Sequence, residues 1–190
     1  MSPIRNEEIL DVAVEASLAA SNIIMEAAHN PQIARVKKSR SDLVTRTDLE
    51  SERIIKSFIS KTYPNHNILA EESDQNDNSS EYLWVIDPLD GTTNFVHGYP
   101  SYSVSIGVYY KNKPIVAVVL EMPHVKLYTA IKNKGSWCEG NKIQASKTIN
   151  LKDSLLVTGF GYQHGDLWAK NMDLFKIFTD KCHGVRRLGS

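Results

Sequence analysis

Leu83-Trp84-Val85-Ile86-Asp87-Pro88-Leu89-Asp90-Gly91-Thr92-Thr93-Asn94-Phe95-Val96-His97-Gly98-Tyr99-Pro100 is the run in which strand-forming residues give way most abruptly to carboxylates and turn formers. Leu83 to Ile86 is wholly apolar and rich in β-formers, the pattern of a short buried strand. Pro88 has a fixed φ and no N–H to donate, so the strand is expected to stop there. Asp90-Gly91 marks a tight turn, and Thr92 and Thr93 are placed to cap a helix whose unpaired N–H groups suit an anion. A strand end then presents two carboxylates and a main-chain carbonyl beside a helix start. Hard oxygen donors of this kind suit Mg²⁺.

The same residues also make ordinary surface turns. What weighs against that reading is a second acidic pair, Glu71-Glu72, after another apolar run, Ile68-Leu69-Ala70. Two strand ends that both present acids point to a metal site. Adjacent strand residues face opposite sides, so only one of the pair can face it; Glu71 is the choice.

At these residues a resemblance is plain. Trp84-Val85-Ile86-Asp87-Pro88-Leu89-Asp90-Gly91-Thr92-Thr93-Asn94-Phe95-Val96-His97-Gly98 resembles the signature of the inositol monophosphatase family, within the Mg²⁺-dependent, lithium-sensitive sugar phosphatases. The likeness extends upstream to Asp42-Leu43-Val44-Thr45-Arg46-Thr47-Asp48 and Ala70-Glu71-Glu72-Ser73, and downstream to Gly184-Val185-Arg186-Arg187-Leu188-Gly189-Ser190. It implies Mg²⁺-dependent hydrolysis of a small phosphate monoester, inositol monophosphate before all others, by metal-activated water. Glu71, Asp87 and the carbonyl of Leu89 would hold the metal that activates water, and Asp87 would bridge to a second metal also bound by Asp90. Thr92, with Glu71, would orient the attacking water. The N–H groups of Gly91 and Thr92 would hold phosphate, and Asp90 would also contact a substrate hydroxyl. Asp48 would either complement its helix dipole or order metal-bound water.

Two rival motifs fit less well. Haloacid-dehalogenase-type phosphatases place one residue between two Asp, whereas Pro88 and Leu89 intervene here. An EF-hand loop needs acidic groups at alternate positions and a distant Glu, which this stretch lacks.

Composition narrows the rest. A chain of 190 residues, 42% apolar and 23% charged, is compatible with one domain and can bury a substantial core. Its formal net charge is zero, so no bulk attraction to nucleic acid or an anionic membrane is implied. Cys138 and Cys182 fit no metal-ligand spacing and read as reduced thiols. With no apolar signal core at Met1 to Glu8 and no run of membrane-spanning length, the protein is expected to be soluble and cytoplasmic.

Along the chain, Asn6 is placed to cap a first helix, with Ile9, Ala13, Ala16, Ala20, Ile23 and Ala27 on one stripe. The basic patch Arg35 to Asp42 is either a solvated loop or a mobile lid, and the resemblance favours a lid carrying Lys37. Thr47-Asp48-Leu49-Glu50 has capping-box spacing ahead of a helix with Ile54, Ile55, Phe58 and Ile59 on one face. Asn67 to Ala70 reads as a strand, and 73–81 as an exposed polar excursion. Tyr102 to Tyr110 and Ile115 to Leu120 form a hairpin around Lys111 to Pro114, and Lys126 to Ile131 and Ser136 to Cys138 extend it into a meander. Ser154 to Thr158 and Val185 to Leu188 read as strands, with Leu167 to Phe178 an amphipathic helix between them.

This order predicts an α+β fold with a largely antiparallel sheet rather than a doubly wound parallel one. The resemblance sharpens it to the layered αβ sandwich of the sugar phosphatases. The family's later Trp-Asp motif, whose Asp completes the second metal site, is not found in this sequence. Residues 1–190 are therefore expected to be the N-terminal two-thirds of such a domain, with the C-terminal layers missing and a homodimer forming at full length. The alternatives are a truncated, inactive relative that binds metal or anion, or a related phosphatase acting on histidinol phosphate, fructose bisphosphate or a nucleotide bisphosphate.

Overall fold

The computed structural model describes residues 4–36, 43–73, 78–160 and 165–188. Helix α1 (Asn6–Ala27) buries Ile9, Ala13, Ala16 and Ala20 fully, as the stripe predicts, but Ile24 takes the buried place expected of Ile23, and Ala27 is half-buried. Its alanines allow close approach, and two serines on the same face are satisfied locally. Ser17 and Ser21 donate to Val14 O at 2.9 Å and Leu18 O at 2.8 Å. The expected Asn6 cap is not formed. Arg5 takes the N-cap position with extended backbone, and Asn6 is the first helical residue.

An antiparallel pair, β1 (Ile33–Val36) and β2 (Leu43–Thr45), follows; of the expected basic loop, Arg35 to Asp42, it takes in Arg35 and Val36. Lys37 and Asp42 lie outside the described residues. Helix α2 (Arg46–Thr62) has its N-cap two residues before the expected one, Thr47. Thr45 ends β2 with extended backbone (φ −101°, ψ 169°), so Thr45, not Thr47, is the N-cap and Asp48 is its reciprocal partner.

Beside these helices lies a seven-stranded sheet in the order β3-β4-β5-β6-β7-β8-β9. Its strands are β3 (Asn67–Ala70), β4 (Tyr82–Asp90), β5 (Tyr102–Tyr110), β6 (Lys113–Met122), β7 (Lys126–Ile131), β8 (Gly135–Cys138) and β9 (Asn141–Ile143), the last not foreseen from sequence. Only the β3–β4 pair is parallel. The α+β, largely antiparallel expectation thus holds. One face packs on α1 and α2 through Ile68, Trp84, Ile86, Val104, Ile106, Val108, Val118 and Leu120. The other face is more open, with Leu69 and Val119 exposed by 39% and 37%.

Pro88 does not stop β4. The strand continues to Asp90 because its pairing with β5 shifts between Asp87↔Ser105 and Asp90↔Ser103, three steps against two. The proline falls in that one-residue bulge, where no ladder N–H is required. A short helix, α3 (Thr92–Val96), follows the turn, with Gly91 rather than a threonine at its N-cap. Asn94 in it donates to Ser101 O at 2.6 Å and Leu188 O at 2.9 Å. The later part of the chain forms a parallel pair, β10 (Leu155–Val157) with β11 (Gly184–Arg186), against α4 (Asp166–Lys181). No residue of α4 is fully buried, and Leu167, Leu174 and Ile177 are exposed.

At one edge of the core the imidazole of His66 is stacked between Tyr63 (4.6 Å) and Tyr82 (4.4 Å). Trp84 Nε1–H donates to its Nδ1 at 3.0 Å, so Nδ1 must be bare. Burial pushes the His66 pKa below the usual histidine value. The unfolded chain therefore takes up a proton at this histidine that the fold resists, and its stabilising effect is lost as pH falls below about 6.5. His66→Phe keeps an aromatic ring in the stack but strands the buried indole N–H, at a cost of about 1–3 kcal/mol at pH 7.5. In urea denaturation the gap between wild type and variant should narrow toward pH 5. A constant gap would refute the neutral-imidazole account.

Candidate active site

The site is set by strand register. β3 and β4 pair as Leu69↔Val85 and Ala70↔Ile86, so Glu71 and Asp87 leave adjacent parallel strands at the same level. Each lies one residue beyond a core-facing side chain, since Ala70 and Ile86 are both buried. Past Asp87 the bulge buries the Leu89 side chain completely and turns its N–H toward Asp87 Oδ1 at 3.2 Å. Gly91 then reverses the chain with a φ of 90°, which a residue with a Cβ adopts only under strain. That reversal puts Thr92 at the first position of α3, with its hydroxyl 3.0 Å from Leu89 O.

Asp48 reaches this point from α2. It is 1% exposed, and its Oδ2 accepts both the Thr45 N–H (2.8 Å) and the Thr45 hydroxyl (2.5 Å). The bonds that cap the helix thereby aim Oδ1 at the Thr92 hydroxyl, 2.9 Å away. Thr92 has one hydroxyl proton and faces two acceptors, Leu89 O and Asp48 Oδ1. The one proton serves both as a three-centre bond, or turns to Leu89 O alone where Asp48 carries a proton of its own. Its carboxyl is shifted in that direction: burial raises its pKa, against the bonds from Thr45 and Thr92 that lower it.

Asp87 is shifted further, up to about 8. Burial contributes most, followed by the negative charges of Glu71 and Asp90 and a hydrogen bond with Glu71, while the Leu89 N–H works the other way. The three acids are therefore close enough to repel, and a proton on Asp87 relieves the repulsion. Among the described residues no group of three or more His, Cys, Asp and Glu side chains is already drawn in to hold a metal ion. The donor chemistry nevertheless fits a hard divalent cation, with carboxylates and the Leu89 carbonyl as oxygen ligands and a cation able to take over the work of the proton.

Of the residues singled out in the sequence, Glu71, Asp87, Leu89, Asp90, Gly91, Thr92 and Asp48 converge here, while Lys37 lies outside the described residues. Glu72 does not join them. Its carboxylate pairs with Arg35 at 2.8 Å. Sequence reasoning passed over Thr45, although Thr45-x-x-Asp48 is itself a capping-box pattern. It also passed over Glu52, a buried acid with no such local signal.

The family model described as the inositol monophosphatase family matches residues 5–190. Phosphatase IMPL1, chloroplastic, of Arabidopsis thaliana is 46% identical over 189 residues, 96% of this chain and 51% of that protein. Inositol monophosphatase 1 of Homo sapiens is 37% identical over 192 residues, 97% of this chain and 69% of that protein. The solved structure of inositol monophosphatase from Anabaena (Nostoc) sp. PCC 7120 superposes with a TM-score of 0.82 at 37% identity, covering 97% of this chain and 68% of that one. The chain thus spans about half the length of the Arabidopsis relative and just over two-thirds of the others.

A raised carboxyl pKa stabilises the fold at low pH, and that contribution is lost as pH rises through the folded value. Without divalent cations, Asp87 should therefore destabilise the protein progressively from pH 5 to pH 8.5. Asp87→Asn removes the charge and should flatten this dependence, so that in EDTA the variant gains on wild type as pH rises. Denaturant titrations of both proteins across that range test this, and parallel pH profiles would contradict the clustering of the three acids.

Proposed function

The chain belongs to the inositol monophosphatase family, and from that premise we propose that it hydrolyses a phosphate monoester, inositol monophosphate first among candidates, with Mg²⁺ as cofactor. The observation that carries the reading is the meeting of Glu71, Asp87 and the Leu89 carbonyl with the Thr92–Asp48 pair at one end of the sheet. Glu71, Asp87, Asp90 and the Leu89 carbonyl would hold the cation. When bound, Mg²⁺ supplies charge neutralisation for the phosphoryl oxygens and acidifies water.

The chain's own groups do the rest. Thr92 Oγ1, fixed between Asp48 and Leu89 O, orients the attacking water together with Glu71. Asp48 sets which way the Thr92 proton points. The N–H groups of Gly91 and Thr92 face the phosphate, and Asp90 reaches a hydroxyl of the polyol. Lys37 lies beyond the described residues. At full length we assign it a homodimer, and a cytoplasmic location. No helix of the described residues is long and apolar enough to cross a membrane.

Two experiments test this. Asp87→Asn should weaken Mg²⁺ binding in a calorimetric titration by at least ~10-fold, and Glu72→Gln by less than ~3-fold, because only Asp87 is a direct ligand. Equal losses would defeat the assignment. Thr92→Ala should lower kcat for phosphate release from inositol 1-phosphate by about 10²-fold with little change in KM, because orienting water acts in the transition state. A change confined to KM would remove Thr92 from that role.

A further inference from the structure

Glu71 is the one candidate ligand that does not lie on β4 or the turn after it, so something must hold its peptide in place. The neighbouring residues show what does. Glu52, on α2 one turn beyond Asp48, is 5% exposed, and its Oε2 accepts the main-chain N–H of Glu72 at 2.8 Å. That N–H belongs to the peptide unit whose carbonyl is Glu71's own. The other carboxylate oxygen of Glu52 lies 3.7 Å from Lys56 Nζ, one helical turn on. Lys56 Nζ in turn donates to Ser73 Oγ at 2.8 Å. From the other side, Arg35 on β1 donates to Glu72 Oε2 at 2.8 Å, with the Glu72 side chain 2% exposed. Residues 72 and 73 are thus held at one main-chain N–H and two side chains, all immediately after Glu71.

We propose that Glu52 is a positioning residue for the cation site, holding the Glu71 carboxylate level with Asp87 by clamping the Glu72 N–H, with Lys56, Ser73 and Arg35 closing the clamp. The inference rests on the reading of Glu71 and Asp87 as cation ligands. A buried carboxylate accepting a main-chain N–H makes a charge-assisted bond, stronger than a neutral one. A peptide held this way cannot swing when Glu71 takes up a cation. Burial is the physical sign that the acid has a task, since glutamate is almost never buried unpaired. A role confined to holding α2 in place would affect stability but not cation affinity, and that separates the two accounts.

The test uses the whole chain and Mg²⁺ alone, titrated by calorimetry, alongside amide hydrogen exchange at Glu72 and a denaturation curve. Glu52→Ala should raise the Mg²⁺ dissociation constant by ~10-fold or more, in the range for groups that orient metal ligands. It should also speed exchange of the Glu72 amide. Glu52→Gln keeps an acceptor oxygen and should recover affinity to within about 3-fold of wild type. Lys56→Met and Ser73→Ala, which loosen only the outer end of the clamp, should shift affinity the same way by less. Unchanged affinity in folded Glu52→Ala, or equal loss in the Gln and Ala variants, overturns the proposal. Should Glu52→Ala fail to fold, unchanged affinity in both outer variants overturns it instead. Asp87→Asn serves as the control. If it binds Mg²⁺ like wild type, the cation site itself is misassigned and the proposal falls with it. If only the Glu52 series leaves affinity unchanged, the site stands and the clamp alone is wrong.

Discussion

One parallel strand pair carries the site. β3 and β4 are joined in register over four residues, Asn67↔Leu83 to Ala70↔Ile86, and every other pairing in the large sheet is antiparallel. Paired residues of parallel strands lie at one level, so the residues after Ala70 and Ile86 stand side by side, although β4 itself runs on to Asp90. Here those residues are both acids, beside a third at Asp90. Like charges in a half-buried setting cannot all remain ionised without a counter-charge. The raised pKa of Asp87 comes first from its burial and then from the charges that this register sets beside it.

The second constraint is economy of hydrogen bonding. Thr45 and Asp48 cap α2, a task any reciprocal pair could perform, yet the same carboxylate reaches Thr92 on a different element. The cap that ends one strand and begins one helix thus also sets the direction of a hydroxyl at the far strand end. Gly91 and the Pro88 bulge complete the geometry, since without the extra residue Leu89 and Asp90 would each present the opposite face. The same α2 then supplies Glu52 one turn later, so a single helix face touches both halves of the site.

Burial is uneven, and this shapes what the fold rests on. The core lies between α1, α2 and one face of the sheet, where Trp84, Phe95 and Ile106 are almost wholly inaccessible. The opposite sheet face and α4 retain large exposed apolar side chains. Stability measured by local substitution is expected to follow this division.

Much was legible in the residues themselves. The apolar runs at β3, β5, β6 and β7 and the stripe of α1 are local patterns, and each formed close to where its periodicity places it. So were Glu71, Asp87, Asp90 and Thr92, because acids after apolar runs and a threonine after Asp-Gly are readable over a few positions. Local reading failed where a neighbour overrode a local rule. Pro88 stayed within β4 because β5 accommodates a bulge, Thr45 replaced Thr47 as cap because β2 keeps its backbone extended, and Asn6 yielded its cap to Arg5. The sequence by itself determined which acids follow which apolar runs. Tertiary structure alone decided that Asp48 faces Thr92 across 44 positions and that Glu52 holds the peptide after Glu71 across 20. Contacts at such separation depend on how α2 packs against β4, which no short-range pattern encodes.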